Sequence, residues 1–328
     1  MFEKMKNKSV YIFPDSKNST NDYIISFHKS FANQGYTLNN RRSNLRLLNI
    51  LFNLDSDIFI FHWVDALPHL KYGFFQVYFF KLIITILSLQ QKEIIWVLHN
   101  KTSHKNNSKD KIVSSLMTFM AKKATKIVVH AKEGVIFCKE RFNAIEKVLY
   151  IPHPSYSLLK TSDNRNFKWD YIVWGTINKY KQIDVFLDFV NRSDYFLNKK
   201  ILICGKCDDL NYDRIIKDKM NSNITYFNEF ISDEKLEYLI SKSKNILFTY
   251  SPETVLSSGA LIHSLSFANR IIGPSVGNFL DYPEHVFCYT SYDDIIKITE
   301  KDYQINLENR SDLLVANSWN DFPLKLFK

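Results

Sequence analysis

Ten short, unbroken apolar runs, rich in β-branched and aromatic residues, punctuate this chain with helical-period segments between most of them. Val10–Phe13, Ile58–His62, Ile94–His99, Ile127–His130 and Val148–Ile151 form the first five. Strands covered by helices on both faces read this way, continuous rather than alternating. Between them Tyr23–Gln34, Tyr72–Leu89, Asp110–Lys123 and Glu133–Phe142 carry helical periodicity. Ile112, Val113, Leu116, Met117 and Met120, for example, fall on one face. Strand and helix in strict alternation predict a parallel sheet wrapped on both sides.

After Pro152, His153 and Pro154 comes a polar stretch, Ser155–Lys168, that reads as an interdomain connection. The alternation then restarts. Strands are expected at Tyr171–Ile177, Lys200–Cys204, Ile224–Phe227, Ile246–Tyr250 and Arg270–Ile272, and helices at Lys181–Asn191, Tyr212–Asn221, Asp233–Lys242 and Ser258–Ala268. Ser232 stands where a side-chain oxygen caps a helix start. The expected fold class is therefore α/β, with two doubly wound halves.

Composition narrows the functional classes. With 45% hydrophobic residues in 328, the chain buries a large core, which excludes whole-chain disorder. Four cysteines fit a reduced, cytoplasmic setting better than a disulfide scaffold, and the N-terminus MFEKMKNKSVYIF lacks the pattern of a secretory signal. Residues 1–150 hold 22 basic against 11 acidic side chains, whereas the remainder holds 21 against 23. A basic front half faces a solvated surface, nucleic acid, an acidic substrate or an anionic membrane. Tyr72–Leu89 is nearly all apolar but contains Lys81 and falls short of the ~20 residues of a membrane span. A buried core helix is expected there, with a membrane-touching surface helix as the alternative.

Open parallel sheets bind ligands at the C-terminal ends of their strands. In the front half those ends carry His62, His99 and His130, each of which also reads as a hydrogen-bonded structural histidine. In the back half they carry Gly175 to Lys181, then Gly205-Lys206, then Tyr250 to Gly259. Neither G-x-G-x-x-G nor G-x-x-x-x-G-K-[ST] occurs. Instead Lys181 and Ser257-Ser258-Gly259 each stand at an expected helix start. Free amides there bind phosphate oxygens, and a lysine adds a full charge. Together they suit a diphosphate held without a metal. Taken singly, the serines read equally as a helix cap and Lys181 as a surface lysine.

These pieces, in this order, resemble the donor domain of GT-B fold glycosyltransferases, in particular retaining glycosyltransferase family 4. The residues concerned are G-x-I-x-x-Y-K at Gly175 to Lys181, ILICGK, the stretch ITYFNEFISDEKLEYLISKSKNILFTY, SSGALIHSLSF and RIIGPSVGNFLDY. FIFHW, IIWVLHN and VLYIPHP match the first domain more loosely, and SWNDFPLKLF looks like a terminal helix crossing back onto it. The resemblance implies two Rossmann-like domains facing across a cleft. Residues 1–160 with a crossover helix at 311–328 would hold the acceptor, and residues 165–310 a UDP- or GDP-sugar. It implies no separate cofactor and no metal. Lys181 and the Ser258 and Gly259 amides would hold the leaving diphosphate, Thr176, Asn178, Gly205 and Tyr250 would line the nucleotide site, and His99 would touch the donor sugar. The expected acceptor is a cell-surface glycan precursor, and the basic, aromatic-rich first domain suggests one attached to lipid at the inner face of the plasma membrane.

Two positions depart from that family's pattern. Asn178 replaces a common arginine, with Lys179 adjacent, and the paired glutamates give way to Val255 and His263, with Glu253 two residues earlier. Glu253 is kept as a candidate for handling the sugar. Asp55-Ser56-Asp57 reads as a strand-entry turn rather than a metal motif, and Cys204-Gly205-Lys206-Cys207 as a loop rather than a zinc or redox site. Two other readings stay open. A non-catalytic polyanion or nucleic-acid binder would use a basic recognition helix with interleaved aromatics, which the sequence lacks, and a GT-B epimerase would need acid/base carboxylates around the sugar.

Overall fold

The computed structural model describes residues 8–19, 21–41, 43–101, 109–155, 159–160 and 166–328. The chain divides into two compact units, residues 1–154 with 317–328, and residues 155–316.

The first unit is built on a six-stranded parallel sheet. Its strands are β1 (Ser9–Phe13), β2 (Thr37–Leu38), β3 (Ile58–His62), β4 (Glu93–Leu98), β5 (Lys126–Val129) and β6 (Val148–Tyr150). Their spatial order is β2-β1-β3-β4-β5-β6. The interior of the sheet is apolar on both faces, and Ile58 to Phe61 and Ile94 to Leu98 are all buried. Helices α1 (Asp22–Asn33), α2 (Gly73–Leu89), α3 (Asp110–Lys123) and α4 (Lys132–Phe142) supply the covering layers. Helix α2 corrects the expectation of a core helix. Val77, Phe80, Ile83, Ile84 and Leu87 are buried, but the opposite face is open to solvent.

The second unit contains β7 (Trp169–Trp174), β8 (Ile201–Cys204), β9 (Ile224–Phe227), β10 (Ser243–Leu247), β11 (Arg270–Pro274) and β12 (Val286–Tyr289), again all parallel. The order is β12-β11-β10-β7-β8-β9. Strand order thus reverses between β7 and β10, and this topological switch point is where doubly wound sheets open a crevice at their C-terminal ends. Around the sheet lie α5 (Ile183–Val190), α6 (Leu210–Asp218), α7 (Asp233–Ser241), α8 (Gly259–Ser264), α9 (Tyr292–Glu300) and α10 (Leu307–Ala316).

Helix α10 stays with the second unit because the buried Arg310 ties it there. Its guanidinium donates to Phe267 O at 2.7 Å and to His285 O at 3.0 Å. The return to the first unit comes at Asn317 and ends in α11 (Phe322–Leu326), where the Phe322 ring lies 5.0 Å from that of Phe27.

Candidate functional site

The loops at the β7/β10 switch point bring together residues scattered over 80 positions of sequence. Strand β7 ends at Trp174, and Gly175 follows with φ +92°. Gly205, at the end of β8, has φ +145°, and a Cβ built on it would lie 2.2 Å from Gly175 O. Only glycine permits these two turns to press together. The next turn is a 3-10 turn over Lys179–Lys181.

Lys181 does not open a helix, as the sequence suggested. It closes that turn, Gln182 takes a left-handed φ of 50°, and α5 begins only at Ile183. The start of α5 is closed to ligands, since Tyr212 Oη accepts from Ile183 N at 3.1 Å and donates to Asp184 Oδ1 at 2.8 Å. Lys181 itself is 4% exposed. Its ammonium donates to Trp174 O at 2.7 Å and lies 5.6 Å from the centre of the Tyr250 ring. Among the described residues no carboxylate pairs with it. Burial pulls its pKa down from 10.5 to about 7, with Cys204 opposing weakly. An unpaired ammonium is costly to bury, and the lowered pKa is the consequence.

Beyond β10 the chain leaves the sheet as an aromatic ladder. Phe248 stacks on Tyr250 with centroids 5.8 Å apart, and Tyr250 on Tyr180 at 5.6 Å. The Ser258 hydroxyl donates to Tyr250 Oη at 3.2 Å and accepts from Leu261 N at 3.1 Å. Ser258 is therefore the cap of α8, and its amide is not free: it donates to Asn278 Oδ1 at 3.0 Å. This corrects the expectation that the Ser258 amide faces a ligand. Helix geometry leaves the next two amides, Gly259 and Ala260, without carbonyl partners in α8. Asn278, fully buried beside Gly277, was missed in the sequence because a lone Asn after a glycine reads as a turn residue.

The remaining second-unit candidates divide. Thr176 is exposed and Asn178 half-buried on the loop after β7, while Gly205 and Tyr250 are buried beneath it. Glu253 is exposed on the turn after the ladder, its amide 3.4 Å from Ser251 Oγ. His263 packs between Phe267 and Trp174, with centroids 5.6 and 5.5 Å away. Cys204 and Cys207 are both free thiols, and burial raises Cys204 to about 12.

The first unit gathers a second cluster at its strand ends. His62 ends β3, His99, His130 and His153 follow β4, β5 and β6, and all four converge on Tyr23 of α1. His62 Nδ1 and His99 Nε2 lie 3.1 Å apart, and His130 Nε2 lies 2.7 Å from Tyr23 Oη. Trp63, in the left-handed region at φ 47°, stacks on His99 at 4.4 Å. Burial holds all four imidazoles neutral: His62 and His99 well below their ordinary value, His130 at about 4 and His153 at about 3. His99 thus offers a neutral hydrogen-bonding ring rather than a charge. Asp65, also buried, is raised to about 6 by desolvation.

Four acidic side chains at turns and helix starts are engaged by the protein itself. Asp55 pairs with Arg41, Asp57 accepts from Ser9 N and Oγ, Asp209 caps α6, and Asp294 completes a capping box with Ser291. No group of His, Cys, Asp and Glu among the described residues is arranged to hold a metal ion.

No protein-family model matches this chain, and neither does any curated protein. Solved structures do. HepE from Anabaena, in complex with UDP and glucose, superposes with a TM-score of 0.70 over 98% of this chain and 99% of its own, at 10% identity. WaaB, a lipopolysaccharide outer core galactosyltransferase, gives 0.61 over 97% and 98% at 12% identity. TarM from S. aureus, a complex that includes UDP, gives 0.61 at 12% identity, and this chain spans 58% of its length. The fold is GT-B. The GT-B match accounts for two Rossmann-like sheets in one chain and for their order, and the site geometry stands apart from it, read from this chain's own residues.

Proposed function

We propose that this chain is a glycosyltransferase moving a sugar from a nucleoside-diphosphate sugar to a cell-surface glycan acceptor, with the diphosphate held in the second unit. One observation carries the reading: Lys181 is buried at the β7/β10 switch point with no carboxylate paired to it among the described residues, and the chain leaving β10 goes on to α8, whose first amides have no intrahelical partner. Thr176 and Asn178, on the loop after β7, are the side chains left to meet the nucleotide. UDP is the donor nucleotide favoured by the ligands of HepE and TarM.

Transfer breaks the bond between the sugar's anomeric carbon and the β-phosphate oxygen and forms one to an acceptor hydroxyl oxygen. Negative charge develops on the departing diphosphate, and an ammonium and backbone dipoles fixed in advance stabilise it without reorganising. Binding the anion returns Lys181 to its charged form. The acceptor enters from the face the diphosphate leaves and gives its proton to a departing phosphate oxygen, so configuration is retained and no protein base is used, while Lys181 and the amides take the place of a metal. His99, neutral, hydrogen-bonds the sugar, and the first unit holds the acceptor, which we take to be lipid-linked.

Incubation with UDP-, GDP-, CDP- and dTDP-sugars in the presence of EDTA tests this by release of the nucleoside diphosphate. Turnover of one donor, with transfer or slow hydrolysis, is expected. Failure of every donor to bind or react, alongside salt-sensitive binding to DNA, would favour the polyanion-binding reading instead.

A further inference from the structure

Helix α2 presents two apolar faces, and only one is used. Val77, Phe80, Ile83, Ile84 and Leu87 pack into the first unit. On the other side Phe74, Phe75, Tyr78, Leu82 and Leu89 are 55, 72, 62, 60 and 78% exposed. At 3.6 residues per turn, positions 74, 75, 78, 82 and 89 form one stripe along the helix. A water-facing stripe is ordinarily polar, and one that is hydrophobic all round needs a second apolar environment.

The charge around the stripe says which environment. Helix α2 contains no acidic residue. Lys71 is exposed at its start, Lys81 borders the stripe with its ammonium 3.0 Å from Ser115 Oγ, and Lys111 and Lys122 are exposed on the adjoining α3. Residues 71–126 together hold ten basic and two acidic side chains. A two-fold contact with a second copy would set this patch against itself. An exposed row of aromatic and leucine side chains fringed by lysines suits a headgroup boundary, where rings insert shallowly and ammonium groups meet phosphates. The helix does not cross: its 17 residues are about 25 Å long, short of a ~30 Å hydrocarbon core, and its far face is bound to the protein.

We infer that the outer face of α2 is a docking surface for an anionic lipid bilayer, with the helix lying in the plane of the interface. The inference goes beyond the proposed reaction and does not rest on it, since lipid binding is read without substrate.

Flotation of the full chain with phosphatidylcholine vesicles, with and without phosphatidylglycerol, tests it. The parent is expected to float with the anionic vesicles at low salt and less so with neutral ones. Phe75→Ser/Tyr78→Ser/Leu82→Ser is expected to reduce partition about tenfold or more. Lys71→Glu/Lys111→Glu, which touches no packed side chain of the stripe, is expected to reduce it similarly and keeps the test alive should the triple variant fold poorly. The inference is overturned if the parent ignores anionic vesicles at low salt, or if the charge-reversed variant floats as well as the parent. It is also overturned if sedimentation shows a dimer that the triple variant dissociates, for then a second copy covers the face.

Discussion

Replacing Lys181 by Met separates a ligand-holding lysine from a structural one, because the two roles move stability in opposite directions. Burial lowers its pKa from 10.5 to about 7, which corresponds to about 5 kcal/mol against the ammonium relative to the amine. A depressed lysine pKa means the unfolded chain binds the extra proton between those values. The penalty is therefore complete below about pH 7 and fades as pH rises towards 10.5. Methionine keeps the apolar length and removes the penalty, while loss of the 2.7 Å bond to Trp174 O offsets about 1–2 kcal/mol. Lys181→Met should thus stabilise the empty protein by up to about 3 kcal/mol in denaturant titrations near pH 6, with the gain vanishing in alkali. Calorimetry should show nucleoside diphosphate binding weakened roughly a hundredfold, about 3 kcal/mol, because the anion loses a buried cation. A variant that is less stable near pH 6 and binds nucleotide like the parent would refute the reasoning.

Three further outcomes follow from the same geometry. Affinity for a nucleotide sugar should fall, by up to tenfold per pH unit, as pH rises above the free Lys181 value of about 7, since binding must then recruit a proton; a flat calorimetric profile from about pH 6 to 9 would contradict this. Gly205→Ala forces a Cβ to 2.2 Å from Gly175 O at φ +145°, and should cost about 3 kcal/mol or more in stability while abolishing nucleotide binding; near-parental melting would contradict the packing. Acid should unfold the first unit early. The folded values of His130 and His153, about 4 and about 3, lie below the ordinary 6.5, so stability held above that pH should drop about 1.4 kcal/mol per unit for each as pH falls, as read by denaturant titration of the parent and of His130→Gln.

Most strands were legible because continuous apolar runs report burial on both faces. Those that slipped have physical reasons. Strand β2 is two residues long and leaves no run. Strand β10 begins at Ser243, three residues before the apolar stretch, because the buried Ser243 hydroxyl donates to Leu239 O and the Asn245 side-chain amide to Asp170 O. The strand ends at Leu247, and the last residues of the apolar stretch, Phe248 and Tyr250, build the stack beside Lys181. Helix α2 was half legible: periodicity found the helix, but composition alone does not distinguish a second buried face from one left open.

The candidate site was readable as a set of strand ends and opaque in its wiring. Gly175, Lys181, Gly205 and Gly259 are visible from spacing. The closure of α5 by Tyr212, the capture of the Ser258 amide by Asn278 and the convergence of four histidines on Tyr23 are tertiary facts. No local pattern encodes them.

The central claim concerns where a diphosphate rests, and a crystal soaked with UDP or its best-binding analogue in metal-free buffer addresses it directly. Phosphate oxygens lying between Lys181 Nζ and the Gly259 and Ala260 amides are the predicted result. Phosphates lodged away from the β7/β10 loops, or ordered there only when a divalent cation is added, would contradict it.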